Sequence, residues 1–333
     1  MRKSVFGVML ALGLIAILCL TSLSWAAPRQ LKLNTISVTG SPWHKAMLKF
    51  SEIIKAKTSG AFEILVYADG QLGNIPQNLT GMQMGTIDMG YFDCGAGSYL
   101  KELKAMQIAW CPYLFKSKAE ARRILNSQMI AEYRDAAAKQ CGVRMFAVAG
   151  ARSPRAIQTI TGPIWKPEQL KGMKMRMPGI PIFVETAKAL GAKPTVLPMT
   201  EIYMGLKQGM VDGQDNGFDL SIPPKFHEVA KFWSATDHAY SMTGWYIAEK
   251  VWQSMSDDQR KTFFDAAMEA GKLADEEMEK LDRESIDILQ QAKCAYTIPY
   301  REPFRVALKD VYKQFEGDVW PKGWVEKIRE MQK

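Results

Sequence analysis

Apolar residues in the stretch from Leu31 to Val38 alternate in the manner of a strand, and the period then changes. In SPWHKAMLKFSEIIKAKTSG, Met47, Phe50 and Ile54 recur at helical spacing until Gly60 stops the helix. AFEILVYADG returns to β-rich alternation. Strands and helices that succeed one another over short connections predict an α/β protein with mainly parallel sheets flanked by helices. Further along, GMKMRMPG (172–179) sets Met173, Met175 and Met177 on one strand face and Lys174 and Arg176 on the other. The ordinary place for such an arginine is a solvated face.

One internal echo bears on the architecture. GMQMGTID (81–88) and GLKQGMVD (205–212) share Gly-x-x-x-Gly-x-(Ile/Val)-Asp, and each follows a helical segment and leads into a strand. Two lobes built on one plan are the expectation. A second landmark is the helix from 257 to about 291, opened by the capping box Ser256…Gln259 and striped by Phe263, Phe264, Ala267, Leu273, Met278 and Leu281. At about 1.5 Å per residue it runs roughly 50 Å, whereas a lobe is only about 40 Å across. Such a helix braces both lobes.

The first residues read differently. Arg2 and Lys3 precede an uncharged, mostly apolar run from Val5 to Leu20, and Ser24-Trp25-Ala26 offers small residues for a signal peptidase. This predicts a secretory signal over 1–26, an uncleaved anchor being the alternative; the run is shorter than the roughly 20 apolar residues of a spanning helix. The expected destination is the periplasm.

Charge narrows the partners. The formal net charge of +8 comes from interspersed lysines and arginines with no basic block, which argues against nucleic acid. Cys94, Cys111, Cys141 and Cys294 are far apart with no C-x-x-C pair; three pairings are open, and buried free thiols are equally compatible with a chain this long. Catalytic signatures are missing. His44, His227 and His238 have no second ligand at metal spacing, and there is no G-x-S-x-G, H-E-x-x-H or phosphate-binding G-x-x-x-x-G-K. The expectation is a binding protein rather than an enzyme, without cofactor or metal.

In this order, the segments GQLGN, GMQMGTIDMGYF, CPYLF, PEQLKGMKMRMPG, ALGAKPTVLPMTEIYMGLKQGMVDGQDN, KFHEVAKF and TDHAYS resemble the solute-binding proteins of tripartite ATP-independent periplasmic (TRAP) transporters, of the DctP type. The resemblance covers essentially the whole chain after the leader. It implies two α/β lobes, here 27–152 plus about 242–275 and 153–241 plus about 276–333, with crossing hinge strands and a long helix over both. It also implies capture of a small organic acid in the interlobe cleft and delivery to TRAP-type membrane permease subunits, by a receptor expected to be monomeric. A periplasmic sensing subunit for a receptor kinase is the alternative on the same fold.

The same resemblance makes Arg176 the two-pronged clamp on the ligand carboxylate, a geometry that lysine cannot reproduce. Arg155 becomes the second arginine, with Arg152 its competitor, and Asn216 a donor to the same carboxylate, the three together bridging the lobes. Asp215 takes a structural role. Met199 stands where many relatives place an aromatic wall, and Asp93 where some hold a ligand-contacting acid or a turn residue. Trp43 and Phe218, with Tyr91, Phe92 and Trp245, are either ligand walls or core. Two departures bear on specificity. Asn74-Ile75-Pro76-Gln77 replaces a charged stretch after QLG, and Gly217 stands where proline is common.

Overall fold

The computed structural model describes residues 27–333, so the expected signal segment 1–26 lies outside the described residues. Two sheets carry the fold. The first orders its strands β2-β1-β3-β10-β4, from β1 (Arg29–Asn34), β2 (Phe62–Tyr67), β3 (Met89–Asp93), β4 (Val143–Ala151) and β10 (Met242–Ala248). The second runs β11-β9-β5-β8-β6-β7, from β5 (Ala156–Thr159), β6 (Lys174–Met177), β7 (Lys193–Val196), β8 (Gly213–Asn216), β9 (Phe232–Ser234) and β11 (Ala295–Thr297). Each sheet has a parallel group (β2-β1-β3 and β8-β6-β7), and the antiparallel pairings come where the chain passes between sheets, from β4 to β5 and from β9 to β10. The two-lobed α/β expectation therefore holds.

The repeated octapeptide plays one structural part twice. Gly85 and Gly209 both take left-handed φ, +77° and +67°, as the chain turns out of a helix. Asp88 then accepts the backbone N–H of Lys32 on β1, and Asp212 accepts that of Lys174 on β6 (2.8 and 2.7 Å). In each lobe the aspartate fastens the incoming strand to its neighbour by satisfying a backbone donor of that neighbour.

The long helix, Asp257–Gln291, opens with the capping box Ser256–Gln259. Its first half belongs to lobe I, where Phe263 meets the rings of Phe50 and Phe62 edge-on. Gly271 sits so close to β4 that a Cβ there would lie 2.5 Å from the Cβ of Ala149. Midway, Asp275 accepts the N–H of Ala151 and pairs with Arg122, and two turns on Asp282 takes Ser153 and Lys118. Leu289 ends in the lobe II cluster with Trp233, Ile222 and Ala156. The helix is thus pinned to both lobes and to the strand that crosses between them.

Further along, residues 302–308 pack beside the helix Pro181–Ala189, while Asp318 pairs with Lys104, and Gln332 donates to the carbonyl of Leu114. Tyr91, Phe92 and Trp245 are fully buried in lobe I, Tyr91 stacked on Trp245 at 4.1 Å. They are core. Cys94, Cys111, Cys141 and Cys294 are all free thiols, the first three buried.

Candidate ligand cleft between the lobes

In parallel sheets, ligands gather beyond the carboxyl ends of the strands, where side chains from successive loops converge. That edge carries Asp93 at the end of β3, Arg176 near the end of β6, Met199 just past β7, and Asn216 at the end of β8, paired with Ala156 beside Arg155. Between the two sheets lies a cavity of about 280 Å³. Trp43, Asp93, Arg155, Arg176, Met199 and Asn216 all line it.

Arg176 is only 4 % exposed. Its Nε donates to the Leu197 carbonyl at 2.9 Å, which fixes the plane of the guanidinium, while Nη1 and Nη2 have no partner among the described residues. Among the described residues, no carboxylate lies within ion-pair reach of it. Burial lowers the group to about 10 from its ordinary 12.5; Asp215 opposes that shift and Arg155 adds to it. A desolvated cation with two free, parallel N–H donors is matched in shape and charge to a carboxylate. The bland expectation for a strand arginine fails here because β6 is buried on both faces. Met175 and Met177 face the lobe core, and Arg176 faces the cleft.

Arg155 is already half committed. Its Nε and Nη2 hold Asp215 at 3.0 and 2.7 Å, and the guanidinium lies 4.4 Å over the Phe183 ring. Asp215 also meets His238 Nε2 at 2.9 Å. Burial would raise its carboxyl, but Arg155 and His238 hold it far below the usual carboxylate range. Arg155 Nη1 has no partner among the described residues. Asn216 gives one amide N–H to Gln214 at 2.7 Å, and its side-chain carbonyl accepts none from the protein.

Arg152 and Asp93 answer each other. Arg152 Nη1 reaches Asp93 Oδ2 at 2.6 Å, and its Nε and Nη2 hold Asp219 at 2.8 and 3.3 Å. The two acids raise the buried guanidinium above its ordinary value against the pull of burial. Asp93 also accepts from Ser241 and from the N–H of Gly95, whose short helix it caps. Both groups reach the cavity with their charges spent. Between the two arginines weighed for the second clamp, the free donor is on Arg155.

Two expectations need correction. Phe218 does not line the cavity. Its ring stacks on Trp233 at 4.7 Å and faces Tyr296, because the turn after Gly217 sends it to the far side of lobe II. Nor do the three groups expected to take a carboxylate bridge the lobes, since Arg155, Arg176 and Asn216 all sit on the second sheet or at its edge. Gly217 has φ −81°, a value open to proline, but a Cβ there would lie 2.5 Å from the Ser153 carbonyl oxygen.

Sequence reasoning missed Tyr99, Trp110 and Phe183. Phe183 had a signal, since it lies in the first turn of the helix after β6, where side chains point back over the strand end. Across the cleft, Trp110 of lobe I touches Phe183 of lobe II (4.8 Å), and the Ile182 N–H donates to Gln107, so the lobes meet at that end.

Residues 33–318 match the family model of the bacterial extracellular solute-binding proteins, family 7 (DctP). The chain belongs to this family. A solute-binding protein of Roseobacter denitrificans is 32 % identical over 263 residues, 78 % of this chain and 79 % of that one. The 2,3-diketo-L-gulonate-binding periplasmic protein YiaO of Escherichia coli is 28 % identical over 271 residues, 80 % and 81 % of the two chains. A Roseobacter denitrificans TRAP periplasmic solute-binding protein, solved with bound L-galactonate, superposes with a TM-score of 0.82 at 28 % identity and covers 90 % of this chain and 98 % of its own. Family 7 proteins are solute-binding receptors rather than enzymes. Among the described residues, no three His, Cys, Asp or Glu side chains gather to hold a metal, and no helix is long and apolar enough to cross a membrane.

Proposed function

We propose that this chain is the periplasmic receptor of a TRAP transporter, that it takes up a small organic acid as its carboxylate, and that it delivers the acid to membrane permease subunits. One observation carries the reading, namely the buried, unpaired Nη1/Nη2 fork of Arg176 at the interlobe cavity. The carboxylate takes both prongs of Arg176, with Arg155 Nη1 and the Asn216 amide as additional donors. Relatives named for acid ligands, 2,3-diketo-L-gulonate and L-galactonate, support the class. The sensor-subunit alternative gains no support from them. The protein acts as a monomer, without nucleic acid, after removal of the leader over 1–26.

Ligand moves the balance between open and closed lobes because it contacts both walls only when they meet. The test is a thermal-shift screen of organic acids followed by calorimetry on the wild type and Arg176→Ala. A hit whose affinity falls at least about 100-fold, about 2.7 kcal/mol, in the variant is expected. Unchanged affinity would remove Arg176 from the site.

A further inference from the structure

Taking that carboxylate-receptor reading as given, we infer that the solute is a monocarboxylate with an apolar body, and that sugar acids and dicarboxylates are poor ligands of this cleft. The cationic donors still free in the cavity are gathered on one side, and its other charged groups, Asp93 and Arg152, are spent on each other and on Asp219; Tyr99 of lobe I and Thr200 of lobe II add one hydroxyl each. Arg155, Arg176 and Asn216 stand on lobe II. The facing wall from lobe I presents carbon, chiefly Ile36, Trp43, Ile75, Pro76, Ala96 and Trp110. The indole nitrogens of Trp43 and Trp110 are shut away from the cavity with no acceptor, so both rings offer only carbon. Asn74 at the rim spends its Oδ1 in capping the helix Ile75–Met84, where it accepts the N–H of Gln77, and keeps only its amide N–H donors.

Charge counting excludes a second carboxylate. Asp93 and Asp219 share Arg152, and Asp215 holds Arg155. Among the described residues that line the cavity, Arg176 is left as the single unbalanced cation, and an anionic group at the far end would meet Asp93 instead of a base. Hydroxyl groups fare no better. A polyhydroxylated acid such as galactonate would give up water along its length and find mostly side-chain carbon, leaving its donors unpaired. Methylene or ring carbon loses nothing there and gains burial. Closure then follows from the body: the lobe II clamp takes the charge, and the lobe I wall folds over the hydrocarbon.

The test is calorimetry and thermal shift on the described chain with hexanoate, 4-methylpentanoate, phenylacetate, L-galactonate and succinate as probes. At least one of the first three is expected to bind at least about 100-fold more tightly than L-galactonate and succinate. Ile75→Asn at the rim should weaken that ligand several-fold and leave the melting temperature of the free protein nearly unchanged. L-galactonate or succinate binding as tightly as the apolar acids overturns this inference and leaves the carboxylate receptor standing. Binding of none of the five overturns both.

Discussion

Arg152 Nη1 lies 2.6 Å from Asp93 Oδ2, so a strand-crossing arginine and a strand-end acid neutralise each other on the cavity wall. Asp93→Ala would free that prong while Asp219 still holds the rest of the guanidinium. Breaking a buried pair costs about 3–5 kcal/mol, which urea denaturation should register. The released cation should also raise succinate affinity at least about tenfold by calorimetry. Unaltered succinate binding would mean that Arg152 does not address the solute space.

Arg176 presents the opposite case, a cation left unpaired until ligand arrives. Arg176→Met removes a desolvated charge and keeps the length of the side chain. The free protein should gain about 1 kcal/mol in stability, because burying hydrocarbon costs less than burying an unpaired charge. Ligand binding should be lost at the same time. A drop in melting temperature would show that the guanidinium is held by more than the Leu197 carbonyl.

Asp215 sets the behaviour in acid. Its folded-state carboxyl lies far below the ordinary 3.8, so near and below that pH the unfolded chain holds more protons than the folded one. The stability it supplies is complete above about 3.8 and is lost as pH falls from there toward the folded-state value. Urea midpoints should stay level between about pH 5 and 7 and decline below about pH 4; Asp215→Asn should start lower and decline less steeply.

Gly271 marks the closest approach of the long helix to β4. Gly271→Ala would gain about 1 kcal/mol in helix propensity but drive a methyl into Ala149, an overpacking cost of about 1–3 kcal/mol. A net fall in thermal midpoint is expected. A rise would mean that the helix stands off the strand.

Phe218→Leu separates packing from recognition. Loss of the stack on Trp233 should lower stability by about 1 kcal/mol and leave ligand affinity within about twofold. A tenfold loss of affinity would restore Phe218 to the cavity wall.

What could be read from the sequence follows physical range. The long helix was legible because its cap and its stripe are local, and the paired octapeptides because their glycines and aspartates do the same work at fixed offsets. Arg176 stood out through its strand and the Pro-Gly that follows it, with the family resemblance supplying its role. Pairings over long separations were hidden. Nothing near residue 152 announces Asp219 or Asp93 as its partners, since that match depends on how the two sheets meet. Phe218 misled for the converse reason. Two residues from Asn216 in sequence, it is turned to the opposite side by one extended residue and a short 3-10 turn. Trp110 reaches the cleft from a segment whose apolar pattern reads equally as interior.

The four cysteines among the described residues are free thiols, so the two lobes fold without help from oxidising machinery. Among the described residues no cross-link has to form before the lobes can assemble, and none survives to hold a guest in place when the lobes come apart. A solute carried through purification can therefore be released in guanidinium with reductant present, and the receptor can be renatured ligand-free by dilution.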